Sequence, residues 1–305
     1  MPRRRMLVLT ILLCIQLLFP GLAVADPGQE EVRLQAPSSV VRGEGFVCRF
    51  MPVPGGSSYT LEWLDKNLDL AAARPGIIQA VLLGVGIKRM ARPELLRLSY
   101  VAGGQKKVVQ CAVDVRDKNY PEQRLILPPS MANLSPKNLA RYYKEKKVIT
   151  HVLARQTAGR FWSLPLTRPV PGSVSSAYGL TRFINNQPRA PHRGVDFRGS
   201  MGVPIKACAD GIVDLVADHY FSGRSVYLDH GQGVTSVYFH MSKIQVKEGQ
   251  VVHKGQVVGT MGRTGRATGP HLHFGLYVLG EPINPMPFMD GTFKTSDVPA
   301  VSVRQ

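Results

Sequence analysis

Residues 269–275 read Gly269-Pro270-His271-Leu272-His273-Phe274-Gly275. In a strand, residues i and i+2 point to the same face, so His271 and His273 would share one. Two imidazoles side by side each need a partner. An isolated His-x-His is commonly a pair of exposed or locally satisfied histidines, so its weight depends on the rest of the chain. The surrounding stretch 161–290 is built from short apolar runs separated by glycine turns. These include "GVDFRG", "VPIKACADGIVDLVAD", "SVYLDHGQGVTSVYFHM" and "HLHFGLYVLG". That pattern predicts an all-β, antiparallel, turn-rich domain without long helices. Within it "KEGQVV" and "HKGQVV" echo each other, which predicts two similar hairpin edges.

Of the eight histidines, only His151 lies before this domain, on a predicted helix, where a surface position is expected. His219 and His253 fall in polar turn contexts and are expected to be solvated. His230 in "YLDHGQG" falls at a hairpin turn. That leaves His192, His240, His271 and His273, with Asp196 from "PHRGVDF". His192 and Asp196 are four residues apart, ~13 Å in a straight strand, whereas ligands of one zinc lie ~2 Å from it. The segment must therefore bend if both are ligands, and Pro191 and Gly194 allow it. Two histidines and a carboxylate with an open fourth position form a hydrolytic zinc set. His-x-His alone is weak and His-x-x-x-Asp weaker. Together, with His240 closing "SVYFHMS", they are strong.

The N-terminal half differs. Residues 26–115 contain "GFVCRFMPV", "SYTLEWLDKNL", "ELLRLSYVAG" and "KKVVQCAVDV" with Gly, Pro and Ser turns between them. Cys48, Trp63 and Cys111 follow an immunoglobulin-like order, although Val109 stands where a tyrosine is expected two residues before the second cysteine. This predicts a β-sandwich. Residues 116–160 read as a connector: "PEQRLILPPSMANL" is extended, and a helix of about five turns then starts with Ser135 as N-cap and Pro136 at its first position. That helix is basic and is expected to pack between the domains. The fold class is mainly β: an immunoglobulin-like sandwich, a helical connector and a C-terminal antiparallel β domain, with residues 291–305 as a tail.

Residues 1–25 have the form of a signal peptide: basic "MPRRR", apolar "MLVLTILLCIQLLF", a Pro20-Gly21 break and a small-x-small Ala23-Val24-Ala25 site. The apolar run is short for a membrane span, though an uncleaved anchor is the alternative. Cys14 lacks the following small residues that lipid attachment would need. The whole chain carries +17. Removing the leader takes three arginines and no acid, leaving +14. A cationic exported chain suits an anionic envelope surface, membrane or wall polymer. Basic residues are scattered rather than interleaved with aromatics, so a nucleic-acid partner is not expected. In an oxidising compartment Cys48 and Cys111 are the expected pair, and Cys208 is expected as a small buried residue.

"PHRGVDF", "YFHMS" and "TGRATGPHLHFG" resemble the lysostaphin-type (LytM-type) zinc metallopeptidases that cleave peptidoglycan peptides. The resemblance covers about residues 160–290, and the N-terminal half is similar to Gram-negative members that carry an N-terminal β domain. It implies a duplicated hybrid motif-like barrel-sandwich, Zn2+ as cofactor, peptidoglycan peptides as substrate and a periplasmic location. His192, Asp196 and His273 match the zinc ligands. His271 matches a catalytic histidine facing the substrate, and His240 its partner. Asn185-Asn186 stands where relatives often have Asn-Gly, a tolerable change because Asn enters the left-handed region readily. Cys208 stands where alanine or proline is common.

Three functions compete. An active endopeptidase needs all five positions, and all five are present. A wall-binding regulator of another hydrolase would usually have lost some of them. A biotinyl/lipoyl-like carrier, suggested by "KEGQVVHKGQVVG", needs a modifiable lysine at a hairpin tip, and Lys254 lacks that context. The N-terminal domain is expected to dock a partner or the wall, or to inhibit. An inhibitory connector would place a residue over the metal position, with Asn133 in "PPSMANLSP" as the candidate, or Asn133 caps a turn.

Overall fold

The computed structural model describes residues 31–71, 73–128 and 133–293. The expected leader and most of the C-terminal tail lie outside these residues. Eight strands form the N-terminal sandwich: β1 (Leu34–Gln35), β2 (Ser39–Val41), β3 (Gly45–Phe50), β4 (Ser57–Trp63), β5 (Lys66–Asp69), β6 (Gln79–Gly84), β7 (Pro93–Ala102) and β8 (Gln105–Arg116). One sheet has the order β1-β3-β6 and the other β2-β8-β7-β4-β5. Alternation decides what lies between them. In β3, Phe46, Cys48 and Phe50 point inward, and in β4 Tyr59, Leu61 and Trp63 do. Phe46 meets Trp63 edge to face at 5.2 Å, and Tyr59 stacks on Tyr100 at 5.5 Å. Trp63 Nε1 donates to the Gly84 carbonyl at 2.8 Å, which satisfies its one buried donor.

Cys48 and Cys111 stand on facing sheets, as the immunoglobulin-like order requires, but both thiols are free. The expected pairing is therefore corrected. Cys48 is fully buried among aromatic side chains and Cys111 only partly. Burial, with a smaller contribution from Cys111, pushes the Cys48 thiol far up, so it behaves as a small apolar residue.

The connector contributes β9 (Glu122–Leu125) and α1 (Pro136–Leu153). Ser135 caps α1, its hydroxyl accepting from Asn138 N at 3.3 Å, and Pro136 occupies the first turn. The helix does not lie between domains. Ile149, Val152 and Leu153 pack on Tyr227, Val237 and Tyr277 of the C-terminal domain. Glu145 accepts from Tyr220 N, and Arg141 donates to the Asp218 carbonyl at 2.7 Å. This cover also corrects the expectation for His219. It is 7% exposed, its Nδ1 meets the Tyr227 hydroxyl, and burial pushes its pKa down.

The C-terminal domain comprises β10 (Val174–Ser176), β11 (Thr181–Ile184), β12 (Gln187–Pro188), β13 (Val195–Arg198), β14 (Pro204–Lys206), β15 (Gly211–His219), β16 (Gly223–Asp229), β17 (Val234–Ile244), β18 (Val251–Val252), β19 (Val257–Met261), β20 (His271–Val278), β21 (Glu281–Ile283) and the short α2 (Met286–Met289). Its large sheet runs β10-β13-β20-β17-β16-β15-β18, with β19 paired to β17, β14 to β19 and β21 to β20. The echoed hexapeptides form the same turn twice. Lys247 N donates to Gln250 Oε1 while Gln250 N donates back to Lys247 O, and His253 and Gln256 repeat the exchange. Lys254 Nζ donates to the Pro165 carbonyl at 2.5 Å, which is no carrier tip.

Several contacts tie the halves together, among them an apolar one and a strand pairing. Ile283 of β21 fills the space above Gly84 and Gly45, where an added Cβ would lie 2.4 and 2.6 Å from its side chain. β9 pairs in parallel with β11, Glu122 to Leu125 against Thr181 to Ile184, and so adds a connector strand to the C-terminal domain. Asn185 and Asn186 close the β11–β12 hairpin with φ of +50° and +63°, a primed-type turn that asparagine accepts. Asn185 also clamps the connector: its Oδ1 accepts from Leu127 N and its Nδ2 donates to Leu127 O, both at 2.9 Å. Asn185→Ala should therefore destabilise the fold by about 1–2 kcal/mol in urea unfolding and speed hydrogen exchange at the Leu127 amide. Unchanged exchange there would show that the clamp does not hold the connector.

Candidate metal centre

Three neighbouring strands set the geometry. Asp196 on β13 lies directly opposite His273 on β20, and Phe239 on β17 lies opposite His273 from the other side. Directly opposed residues share a face. Asp196, His273 and Phe239 therefore line one surface, and the Phe239 ring stacks on the His273 ring at 5.1 Å with 9° between planes. His271, two residues back, faces the same way and stands opposite Arg198.

His192 arrives from the loop before β13. Its backbone is fixed on both sides, Gly179 N donating to His192 O at 2.8 Å and His192 N to Leu180 O at 3.0 Å. The bend expected at Gly194 is present, for a steric reason. A Cβ at Gly194 would lie 2.3 Å from the Phe274 carbonyl and 2.8 Å from His273 Nε2. His192 Nδ1 lies 2.8 Å from the Ala177 carbonyl. A carbonyl only accepts, so Nδ1 carries the proton and Nε2 presents a lone pair.

That lone pair points at two other acceptors. His192 Nε2 is 3.0 Å from Asp196 Oδ1 and 3.0 Å from His273 Nδ1, and His273 Nδ1 is 2.8 Å from Asp196 Oδ1. Ligands at ~2 Å around a tetrahedral ion stand about 3.3 Å apart, so the triangle fits one cation with small adjustment. Among the described residues this is the one group of His, Cys, Asp and Glu that could hold a metal ion. Burial pushes the Asp196 carboxyl up, but its contacts with the His192 and His273 rings outweigh burial and hold the group well below the carboxylate range. Burial pushes His273 down against the pull of Asp196. Both directions favour the metal-binding forms, ionised carboxylate and neutral imidazole.

His240 reaches this face by a backbone device that strand alternation does not anticipate. β16 pairs Val226 with Tyr238 and Arg224 with Met241, so β17 holds one extra residue there. His240 has φ +63° within that bulge. The bulge turns Phe239 and His240, consecutive residues, towards the same site, with ring centres 6.5 Å apart. The His240 and His271 rings are 4.6 Å apart. Each has its Nδ1 against a backbone carbonyl: His240 on Thr264 O at 2.8 Å, His271 on Gly269 O at 2.9 Å. In both, Nε2 is the nitrogen left for chemistry.

Four of the five residues singled out in the sequence, Asp196, His240, His271 and His273, line a cleft of about 580 Å³, and the fifth, His192, contacts Asp196 and His273. Others went unrecognised. Arg182 Nη2 lies 3.4 Å from Asp196 Oδ2, and its Nε donates to Gln123 Oε1 at 2.9 Å. Gln123 comes from the connector strand β9, and Leu125 and Leu127 line the same wall. No motif marks these positions; the parallel β9–β11 pairing creates their role. Asn133 is exposed and does not line the cleft, which corrects its candidacy as a plug. His230 is fully buried, with Cys208, Ser236 and the Asp210 carbonyl around it, and is remote from this cleft's lining.

Comparison with known proteins agrees with this geometry. The profile of peptidase family M23 matches residues 190–285. A stretch of 97 residues is 46% identical to the peptidoglycan DD-endopeptidase ShyA of Vibrio cholerae, covering 32% of this chain and 23% of that protein. A stretch of 150 residues is 47% identical to an uncharacterised metalloprotease of Haemophilus influenzae, covering 48% of this chain and 29% of that one. The matches span about a quarter of the length of these relatives. A Pseudomonas aeruginosa crystal structure assigned to peptidase M23 is 30% identical, with a TM-score of 0.62, covering 82% of this chain and 94% of that one.

Burial, and then the charges of His271 and His273, push His240 down to about 3. An unfolded histidine titrates near ~6.5. The native state therefore binds fewer protons than the unfolded state below that pH, and the stability tied to neutral His240 is lost as pH falls from ~6.5 towards 3. Imidazole nitrogen shifts should show His240 neutral from pH 8 down to about 5. A midpoint near 6.5 would contradict the buried, Thr264-anchored ring.

Proposed function

This chain is a member of peptidase family M23, and on that premise we propose that it is a zinc-dependent endopeptidase hydrolysing peptide cross-links or stem peptides of peptidoglycan. One observation carries the reading. Three ligand atoms, His192 Nε2, Asp196 Oδ1 and His273 Nδ1, converge within 3.0 Å of each other beside two further histidines, at the wall of an open cleft. The similarity to ShyA, a peptidoglycan DD-endopeptidase, supports the substrate class.

His192, Asp196 and His273 would hold the ion. When bound, zinc supplies Lewis acidity that lowers the pKa of water and polarises a carbonyl. The remaining work falls to the chain's own groups. His240, kept neutral by burial, offers Nε2 to take a proton from the attacking water. His271 stands across the same space, its ring steered by the Gly269 carbonyl, to meet the developing oxyanion or the leaving amine. Phe239 excludes water from one side of His273. The leader-like residues 1–25 support export to the periplasm, where such a substrate is met. The connector reads as part of the cleft wall rather than as an inhibitor, since Gln123 supports Arg182.

Purified protein incubated with peptidoglycan sacculi should release cross-linked dimers as monomers, seen by mass spectrometry, and a zinc chelator should abolish this. His271→Ala should lower the rate by at least about 100-fold while retaining zinc, and His192→Ala should lose zinc. Chelator-resistant cleavage, or full activity in His271→Ala, would sink the assignment. A chain starting at residue 158 lacks the β9 wall and should cleave more slowly than one starting at residue 26. A faster rate would instead make the connector inhibitory.

A further inference from the structure

The loop between β19 and β20 does two things at once. Its Thr264 carbonyl orients His240. Two residues later it places Arg266 in the lining of the same cleft as Asp196, His240, His271 and His273. The loop is held rigidly for this. Arg266 N donates to the Phe221 carbonyl at 2.9 Å. Gly265, with φ +71°, packs so closely on Gly223 that an added Cβ would lie 2.4 Å from the Gly223 nitrogen. The guanidinium lies over the Phe221 ring, 4.2 Å from its centre.

What that guanidinium lacks is an anion. Among the described residues no ion pair to Arg266 is present, although Arg182, in the same lining, is paired with Asp196. Burial, and then the charges of Arg182 and Arg189, disfavour its protonated form. Arg198 adds a third guanidinium to the lining, on the strand position opposite His271. Asp196 is the only acid among these lining residues, and it faces His192 and His273. A half-buried, preoriented arginine on an aromatic platform is suited to bind a carboxylate with two parallel N–H bonds. Lysine, a hydrated point charge, would not have that fork.

We propose that Arg266 is a specificity-determining residue that binds a free carboxylate on the substrate peptide, close to the scissile bond, with Arg198 adding attraction. The proposal rests on the peptidase reading for its place in the reaction but not for its existence. The substrate class it names is a peptide carrying an unamidated carboxylate within a few residues of the cleaved amide. The same peptide with that carboxylate converted to a carboxamide has similar size and no charge, so the pair isolates the interaction.

The test uses the zinc-loaded full chain and two matched sets of muropeptides, carboxylate and carboxamide. Cross-linked dimers measure kcat/KM, and uncleaved monomers measure Kd by calorimetry. The wild type should favour the acid by about 10- to 100-fold in kcat/KM, and the acid monomer should bind more tightly. Arg266→Gln should bring both ratios close to one, with unaltered zinc content and thermal midpoint. Arg266→Lys should recover only part of them. Equal losses on acid and amide, leaving the ratios as in the wild type, would overturn the proposal. So would a wild type that does not discriminate in binding. If neither dimer is cleaved but monomer binding shows the Arg266-dependent preference, the peptidase reading fails and the carboxylate site stands.

Discussion

Three ligand atoms converge on one point at the wall of a cleft. His192 is 2% exposed and Asp196 9%, and the lone pair of His192 Nε2 faces a carboxylate oxygen and another ring nitrogen. One shared proton can satisfy part of that convergence, but a divalent cation satisfies all of it at once. Much else in the domain serves this arrangement. The Ala177 carbonyl fixes the His192 tautomer, the Leu180 and Gly179 bonds fix its backbone, and the β13–β20 register sets Asp196 opposite His273. Charge then reinforces geometry, since the two imidazoles hold Asp196 ionised against its own burial.

Backbone irregularities make the convergence reachable. A straight strand would carry His192 away from Asp196, and any side chain at position 194 would collide with Phe274 O and His273. A regular β17 would turn His240 to the opposite face from Phe239. The bulge reverses this through a positive φ on a non-glycine residue, a conformation of the kind that concentrates at functional sites. The carbonyls of Ser222 and Thr264 hold that residue from two sides, one on its backbone N and one on its ring. Local strain is thus balanced by hydrogen bonds from two separate loops.

These distinctions mark where sequence is legible. The period-2 pattern of "HLHFGLYV" places His271 and His273 on one face, and the structure shows them there. Ser135-Pro136 announces the helix start, and the echoed "KEGQVV" and "HKGQVV" announce two equal turns. Each is a local signal. His219 looked solvated because its neighbours are polar, yet a helix some seventy residues earlier in the chain covers it. Cys48 and Cys111 both fall in strand-like runs of the N-terminal half, but neither count nor order records whether two thiols bond, and here both are free. Gln123 and Arg182 carry no motif. Their partnership exists only because a connector strand pairs in parallel with β11.

That parallel pairing changes what the connector is. A linker that only joins two domains leaves their surfaces independent. Here Gln123, Leu125 and Leu127 form cleft wall, and Asn185 clamps Leu127 by both its polar atoms. Arg124 stacks on Phe183 at 4.4 Å, adding a side-chain contact beside the backbone ladder. The sandwich reaches the same strands by another route, because Tyr120, just before β9, donates to the Arg42 carbonyl at 2.6 Å and packs on Tyr178. A short chain of contacts thus runs from the sandwich through Tyr120, β9 and Gln123 to Arg182 and Asp196, and residues far from the cleft in sequence form part of its wall.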